Sequence, residues 1–109
     1  MNKKIITEGQ GPVCPPGATV LAHYRGTLEN GKQFDSSYDR NEPFQFKVGQ
    51  GQVIKCWDQG FQQMKQGEKA ILTCPPEYAY GARGVPGTIP PKATLLFEVE
   101  LLAFRQTRL

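Results

Sequence analysis

Apolar and polar residues alternate over several stretches of this chain. From Ala18 to Leu28, Val20, Ala22 and Tyr24 take one face and Leu21, His23 and Arg25 the other, which is the two-residue period of a strand. The pattern runs into Glu29-Asn30-Gly31-Lys32, where Asn-Gly predicts a tight hairpin turn with positive φ at both residues. The partner strand is expected at Gln33–Ser36. After an irregular polar stretch, Ser37–Glu42, a second half-buried piece follows over Pro43–Val48, with Phe44, Phe46 and Val48 set against Gln45 and Lys47. Further strands are expected at Lys69–Cys74 and Leu95–Phe104, the latter with Leu95, Phe97, Val99 and Leu101 on one face and Glu98 and Glu100 on the other. A shorter strand is expected at Lys3–Glu8, giving about five in all.

One segment has helical spacing. Trp57, Phe61 and Met64 form an apolar stripe, Asp58 stands in the first turn where it favours the helix dipole, and Gly67 is placed as a C-cap. Gly60 inside it costs on the order of 1 kcal/mol relative to Ala, so packing has to hold the helix. Pro75–Thr94 has no period at all. Its twenty residues include five prolines and three glycines, and an ordered loop of that length is expected to bind something.

Composition narrows the fold. Gly 12 and Pro 9 make up about a fifth of 109 residues, which is turn-rich yet below the roughly 25–30% that marks disorder. The length leaves no room for a doubly wound sheet, and the Gly/Pro load disfavours a helix bundle. The expectation is a single α+β domain over residues 1–109, with a twisted antiparallel sheet of five or six strands wrapped around one short helix. The formal net charge of +3 is scattered, which leaves no nucleic-acid footprint. The start, Met1-Asn2-Lys3-Lys4-Ile5-Ile6-Thr7, has no secretion-type apolar stretch, and no span of about 20 apolar residues follows, so a cytoplasmic protein off the membrane is expected. Cys14, Cys56 and Cys74 are odd in number and too far apart for a Cys-x-x-Cys motif, which predicts reduced thiols in a reducing compartment.

Ordinary catalytic chemistry finds few candidates. His23 is in mid-strand beside no obvious Ser or Cys partner and reads as structural; one His with three dispersed Cys supplies no metal set. Gly49-Gln50-Gly51 lacks the rest of a phosphate-binding motif, and Asp35 and Asp39 lie in a polar loop that water can solvate. No cofactor is expected. Aromatic residues are in excess: Phe46, Phe61 and Phe104 are assigned to the core, while Tyr24, Phe34, Phe44, Trp57, Tyr80 and Phe97 come from separate elements whose faces can converge on an apolar hollow.

Four motifs occur in order: Phe34-Asp35-Ser36-Ser37, Val53-Ile54-Lys55-Cys56-Trp57-Asp58-Gln59-Gly60, Tyr78-Ala79-Tyr80-Gly81-Ala82 and Ile89-Pro90-Pro91. From about Lys3 to Phe104 the chain closely resembles the FKBP-type peptidyl-prolyl isomerases, the immunophilins that bind tacrolimus and rapamycin. The resemblance implies a pocket with Trp57 as floor and Tyr24, Phe34, Phe44, Val53, Ile54, Tyr80 and Phe97 as walls. Asp35 and the Tyr80 hydroxyl are its polar side chains, the Ile54 N–H is a further donor, and Arg40 holds Asp35. Ile89 belongs to a flap made by the long loop, and Gln52 stands at the binding surface. Catalysis is assigned on the same basis to Tyr24, Phe34, Asp35, Trp57, Tyr80 and Phe97.

The implied activity is accelerated rotation of X-Pro bonds, assisting protein folding, with no covalent intermediate. The implied partners are proline-containing peptides and proteins, tacrolimus and rapamycin, and a drug-dependent phosphatase or kinase, the chain itself being a monomer. The alternative is a non-catalytic binding module that regulates a partner through the same pocket. Cys56 departs from the family's usual glycine and Gln52 from a frequent acidic residue, and Val85 and Thr88 fall in the variable flap tip. Cys56, at a helix N-terminus, is also a candidate reactive thiol, set against an inert thiol packed beside Trp57. Thr107-Arg108-Leu109 has the form of a carboxyl-terminal ligand for strand-addition domains, set against a frayed tail.

Overall fold

The ten residues Thr19–Leu28 (β3) alternate in burial, with Val20, Ala22 and Tyr24 inward, and form the strand on which the sheet is built. In the computed structural model, which describes residues 1–106, β3 pairs along its length with Leu95–Arg105 (β8). Lys69–Cys74 (β7) pairs with β8, and Asn2–Thr7 (β1) with β7. The other edge of β3 is shared. Gln33–Ser36 (β4) pairs with Arg25–Thr27, and Phe44–Lys47 (β5) with Thr19–Ala22. The result is a six-stranded antiparallel sheet, as expected, with a two-stranded accessory of Gln10–Val13 (β2) and Lys65–Gln66 (β6).

Between the two partners of β3, a side chain completes the edge. The Ser37 hydroxyl accepts from the Tyr24 N–H at 2.7 Å and donates toward the Tyr24 carbonyl at 3.2 Å. Ser37 opens a four-residue helix, Ser37–Arg40 (α1), where an irregular stretch is expected from sequence. Ser36 caps it by accepting from the Asp39 N–H, and Asn41 ends it in the left-handed region at φ 51°.

The concave face of the sheet packs on Lys55–Gly60 (α2). Val20, Ala22, Leu72, Leu95, Val99 and Leu101 meet Phe61, Met64, Phe46 and Val48 there, all buried. Gly60 weakens the helix but permits the approach, since a Cβ at that position would lie 2.8 Å from Leu72. The helix is shorter than its apolar stripe suggests. Phe61–Gln63 is a 3₁₀ turn, Met64 is extended, and the Gln62 amide donates to the Asp58 carbonyl at 2.7 Å, giving that helix-end acceptor a side-chain donor. Gly67 is therefore no helix cap; at φ 85° it turns the chain from β6 into β7.

Other expectations need correction. At Asn30-Gly31 only Gly31 has positive φ; the Asn30 side chain accepts from the Lys32 N–H at 2.9 Å, and this local bond replaces the second left-handed residue. Phe104 is half-buried and packs against the core cluster rather than lying within it; a bulge between Leu21 and Ala22 shifts the register so that it stands opposite Val20. The three cysteines are not all free. Cys56 and Cys74 form a disulfide with Cα atoms 5.6 Å apart, since α2 begins against the end of β7. Only Cys14 is free among the described residues; it is buried, and desolvation pushes its thiol up to about 11. With the pair formed, the cysteines no longer point to a reducing compartment, and Cys56 is not a reactive thiol. The Thr107-Arg108-Leu109 motif lies outside the described residues.

Candidate active site

The site is assembled from six parts of the chain. β3 contributes Tyr24, β4 contributes Phe34 and Asp35, β5 contributes Phe44, and β8 contributes Phe97. The segment leading into α2 brings Gln52, Val53, Ile54 and Trp57, and the long loop brings Tyr80. These ten residues line one hollow of about 200 Å³. Trp57 is 4% exposed, with its ring centroid 4.8 Å from Tyr24, 5.2 Å from Phe97 and 5.9 Å from Phe44, each edge to face. Such tilted contacts fix the rings against one another and leave a concave apolar surface.

One wall is polar. The Tyr24 hydroxyl donates to the Asp35 carboxylate at 2.5 Å, the Ser36 N–H donates to it at 2.9 Å, and the Arg40 guanidinium pairs with it. Arg40 also donates to the Tyr24 hydroxyl at 2.9 Å, with its guanidinium carbon 5.7 Å from that ring's centroid. Burial pushes the Asp35 carboxyl up, but these hydrogen bonds and the arginine charge outweigh it and hold the group below its ordinary range. Burial, then the bond to Asp35, raises Tyr24; burial and the nearby Asp35 charge raise Tyr80. Around neutral pH the hollow thus contains neutral phenols and one carboxylate whose charge is already engaged.

Asp58 secures the opposite wall. Its carboxylate accepts from the N–H groups of Gly49 and Gly51, both at 2.9 Å, while the Gln52 side-chain oxygen accepts from the Lys47 N–H at 3.0 Å. The paired glycines that look like a phosphate cradle hold this chain's own carboxylate. Ile54 then starts the helix, its carbonyl accepting from the N–H groups of Trp57 and Asp58 at 3.0 Å.

Two of the expected site residues do not line the hollow. Arg40 stands behind the polar wall, and Ile89 is 5% exposed, bridged to Val85 within the loop. His23 does have a serine partner, contrary to expectation: its Nδ1 lies 2.8 Å from the Ser37 hydroxyl. Ser37 is buried and committed to the Tyr24 backbone, so the pair is structural. Sequence alone gives no sign of Ser37 as an edge-filling residue or of the Asp58 clasp. The nearest signals are the second serine of Phe34-Asp35-Ser36-Ser37 and the glycines preceding Asp58.

A family model described as FKBP-type peptidyl-prolyl cis-trans isomerase matches residues 11–102. The chain belongs to the FKBP-type peptidyl-prolyl cis-trans isomerases. It is 59% identical over 98 residues to the peptidyl-prolyl cis-trans isomerase FKBP1A of Xenopus laevis, covering 89% of this chain and 91% of that protein. It is 52% identical over 109 residues to the peptidyl-prolyl cis-trans isomerase of Schizosaccharomyces pombe, covering 99% and 97%. The crystal structure of AtFKBP13 superposes with a TM-score of 0.90 at 43% identity, covering 94% of this chain and 91% of that one. As an FKBP, the chain is an enzyme that accelerates cis-trans rotation of peptide bonds preceding proline. Its fold, an antiparallel sheet around a short helix, is the FKBP fold.

Proposed function

We propose that this isomerase works by enclosing the substrate proline in the aromatic hollow and stripping water from the preceding amide. One observation carries the reading: six aromatic rings surround a space whose single carboxylate is already paired with Arg40 and Tyr24. At about 200 Å³ the hollow is smaller than the roughly 300–1,000 Å³ of pockets for drug-sized ligands, so it suits one ring while the rest of the peptide lies across the rim. Phe44 and Tyr80, 38% and 42% exposed, provide that rim.

Rotation about a peptide C–N bond faces a barrier of about 18–20 kcal/mol, because planarity preserves resonance. Resonance places negative charge on the carbonyl oxygen, and water stabilises that planar form. An apolar enclosure withdraws the water, and the planar ground state loses more than the twisted transition state. Each 1.36 kcal/mol of difference is about tenfold in rate. In this reading Trp57 is the floor under the proline ring, Tyr24, Phe34 and Phe97 hold it, and Asp35 and the Tyr80 hydroxyl face the rotating amide.

A coupled isomerisation assay on Leu-Pro and Phe-Pro peptides tests the mechanism. Trp57→Ala and Tyr24→Ala should lose at least tenfold in kcat/KM while remaining folded; unchanged turnover would sink the reading. The same hollow suits one ring of tacrolimus or rapamycin, with the remainder of the macrolide on Phe44, Tyr80 and the loop. Relatives in Dictyostelium discoideum and Saccharomyces cerevisiae are called FK506-binding protein 1. Quenching of the lone Trp57 during a rapamycin titration would measure this. In a drug complex the loop tip, Val85 and Thr88, would face a phosphatase or kinase, to be read by capture of either enzyme with and without drug.

A further inference from the structure

Gly26 lies inside the C-terminal part of β3, two residues beyond Tyr24, and no turn requires it. It is not among the residues with positive φ, so backbone freedom does not explain a glycine there. Space does. A Cβ built on Gly26 would lie 2.6 Å from Cζ and 2.9 Å from Cε1 of Phe34, and 2.8 Å from Cε1 of Phe97. The register explains the crowding: Gly26 pairs with Phe97 on one side and with Asp35, next to Phe34, on the other. Both rings lean over the bare Cα and meet edge to face, 5.6 Å apart at 86°.

The two rings differ in freedom. Phe97, 3% exposed, is boxed by Trp57 at 5.2 Å and Tyr24 at 6.3 Å, whereas Phe34 is only half-buried. The atoms a methyl group would meet are ring edges rather than backbone, so the sheet can persist while the rings are displaced. Because both rings line the hollow, their displacement changes its shape.

We propose that Gly26 is a positioning residue that sets ring-size specificity: its missing side chain seats the Phe34–Phe97 pair and so fixes the width of the hollow. The role rests on the hollow being the seat of the substrate proline. It predicts discrimination among cyclic imino acids by ring size, with the four-membered azetidine-2-carboxylate, proline and the six-membered pipecolate as the series.

The test measures kcat and KM for three peptides that differ only in that ring, using the full chain, Gly26→Ala, and Gly26→Ala combined with Phe34→Leu. Gly26→Ala should lose about tenfold in kcat/KM on the proline peptide, more on the pipecolate peptide and little on the azetidine peptide. The double variant, with the closest contact relieved, should move the ring-size ratios back toward the parent. Ratios unchanged in a folded Gly26→Ala protein, or an equal loss on all three peptides, would overturn the proposal. Should Gly26→Ala not fold, the double variant must both fold and accept the pipecolate peptide; failure of either also overturns it. Parent protein that turned over none of the three peptides would instead overturn the seating of proline in the hollow.

Discussion

Asp35 shows how one residue can carry a charge without using it for proton transfer. Its folded-state pKa is lowered, so its contribution is complete above the ordinary carboxylate value of about 3.9 and is lost only as pH falls through the lower one. Tyr24 and Tyr80 are raised, so they stay neutral up to and beyond the ordinary phenol value of about 10. With no lining group titrating between, kcat/KM should be flat from about pH 5 to pH 9 in the coupled assay. A titration limb inside that window would contradict this. The aromatic membership of the site was legible because residue type declares it. The role of Gly26 was not, since a glycine in a strand has no pattern of its own and the rings that need its space come from β4 and β8.

Among the elements, α2 is short, low in propensity and has no side-chain N-cap, so its neighbours must hold it. The Cys56–Cys74 disulfide, closing a separation of 18 residues, ties its first turn to β7. Loop-closure entropy for such a span is about 3 kcal/mol, and a dithiol reductant or Cys74→Ala should lower the urea midpoint accordingly. An unmoved midpoint would show that the pair is not bonded in solution. Asp58 acts at the same scale. Asp58→Ala frees the Gly49 and Gly51 N–H groups and loosens the segment that carries Gln52, Val53 and Ile54. A loss of about 1 kcal/mol, roughly fivefold in rapamycin affinity, is expected from Trp57 quenching, and unchanged affinity would remove the clasp from the site. The long strands were legible from their two-residue period. The two-residue β6 and the glycine-containing β2 were not, because neither is long enough to show one. The disulfide was hidden because cysteine spacing records sequence separation, while the bond depends on how α2 meets β7.

For the whole molecule, fold class followed from composition and the FKBP resemblance from four ordered motifs, yet the way the chain closes its sheet is a three-dimensional fact. β4 and β5 together leave His23 and Tyr24 without a strand partner on one edge of β3, and the Ser37 hydroxyl occupies that place. Ser37→Ala should cost about 1–3 kcal/mol, the scale for stranding buried backbone groups, as read by denaturant unfolding. A loss below about 0.5 kcal/mol would mean that water replaces the hydroxyl at no cost. Beyond stability, an unpaired stretch of backbone is a template on which another chain can add a strand. A single buried hydroxyl thus stands in for a strand at this edge, and light scattering of the folded Ser37→Ala protein that rises with concentration would show that it also guards against self-association.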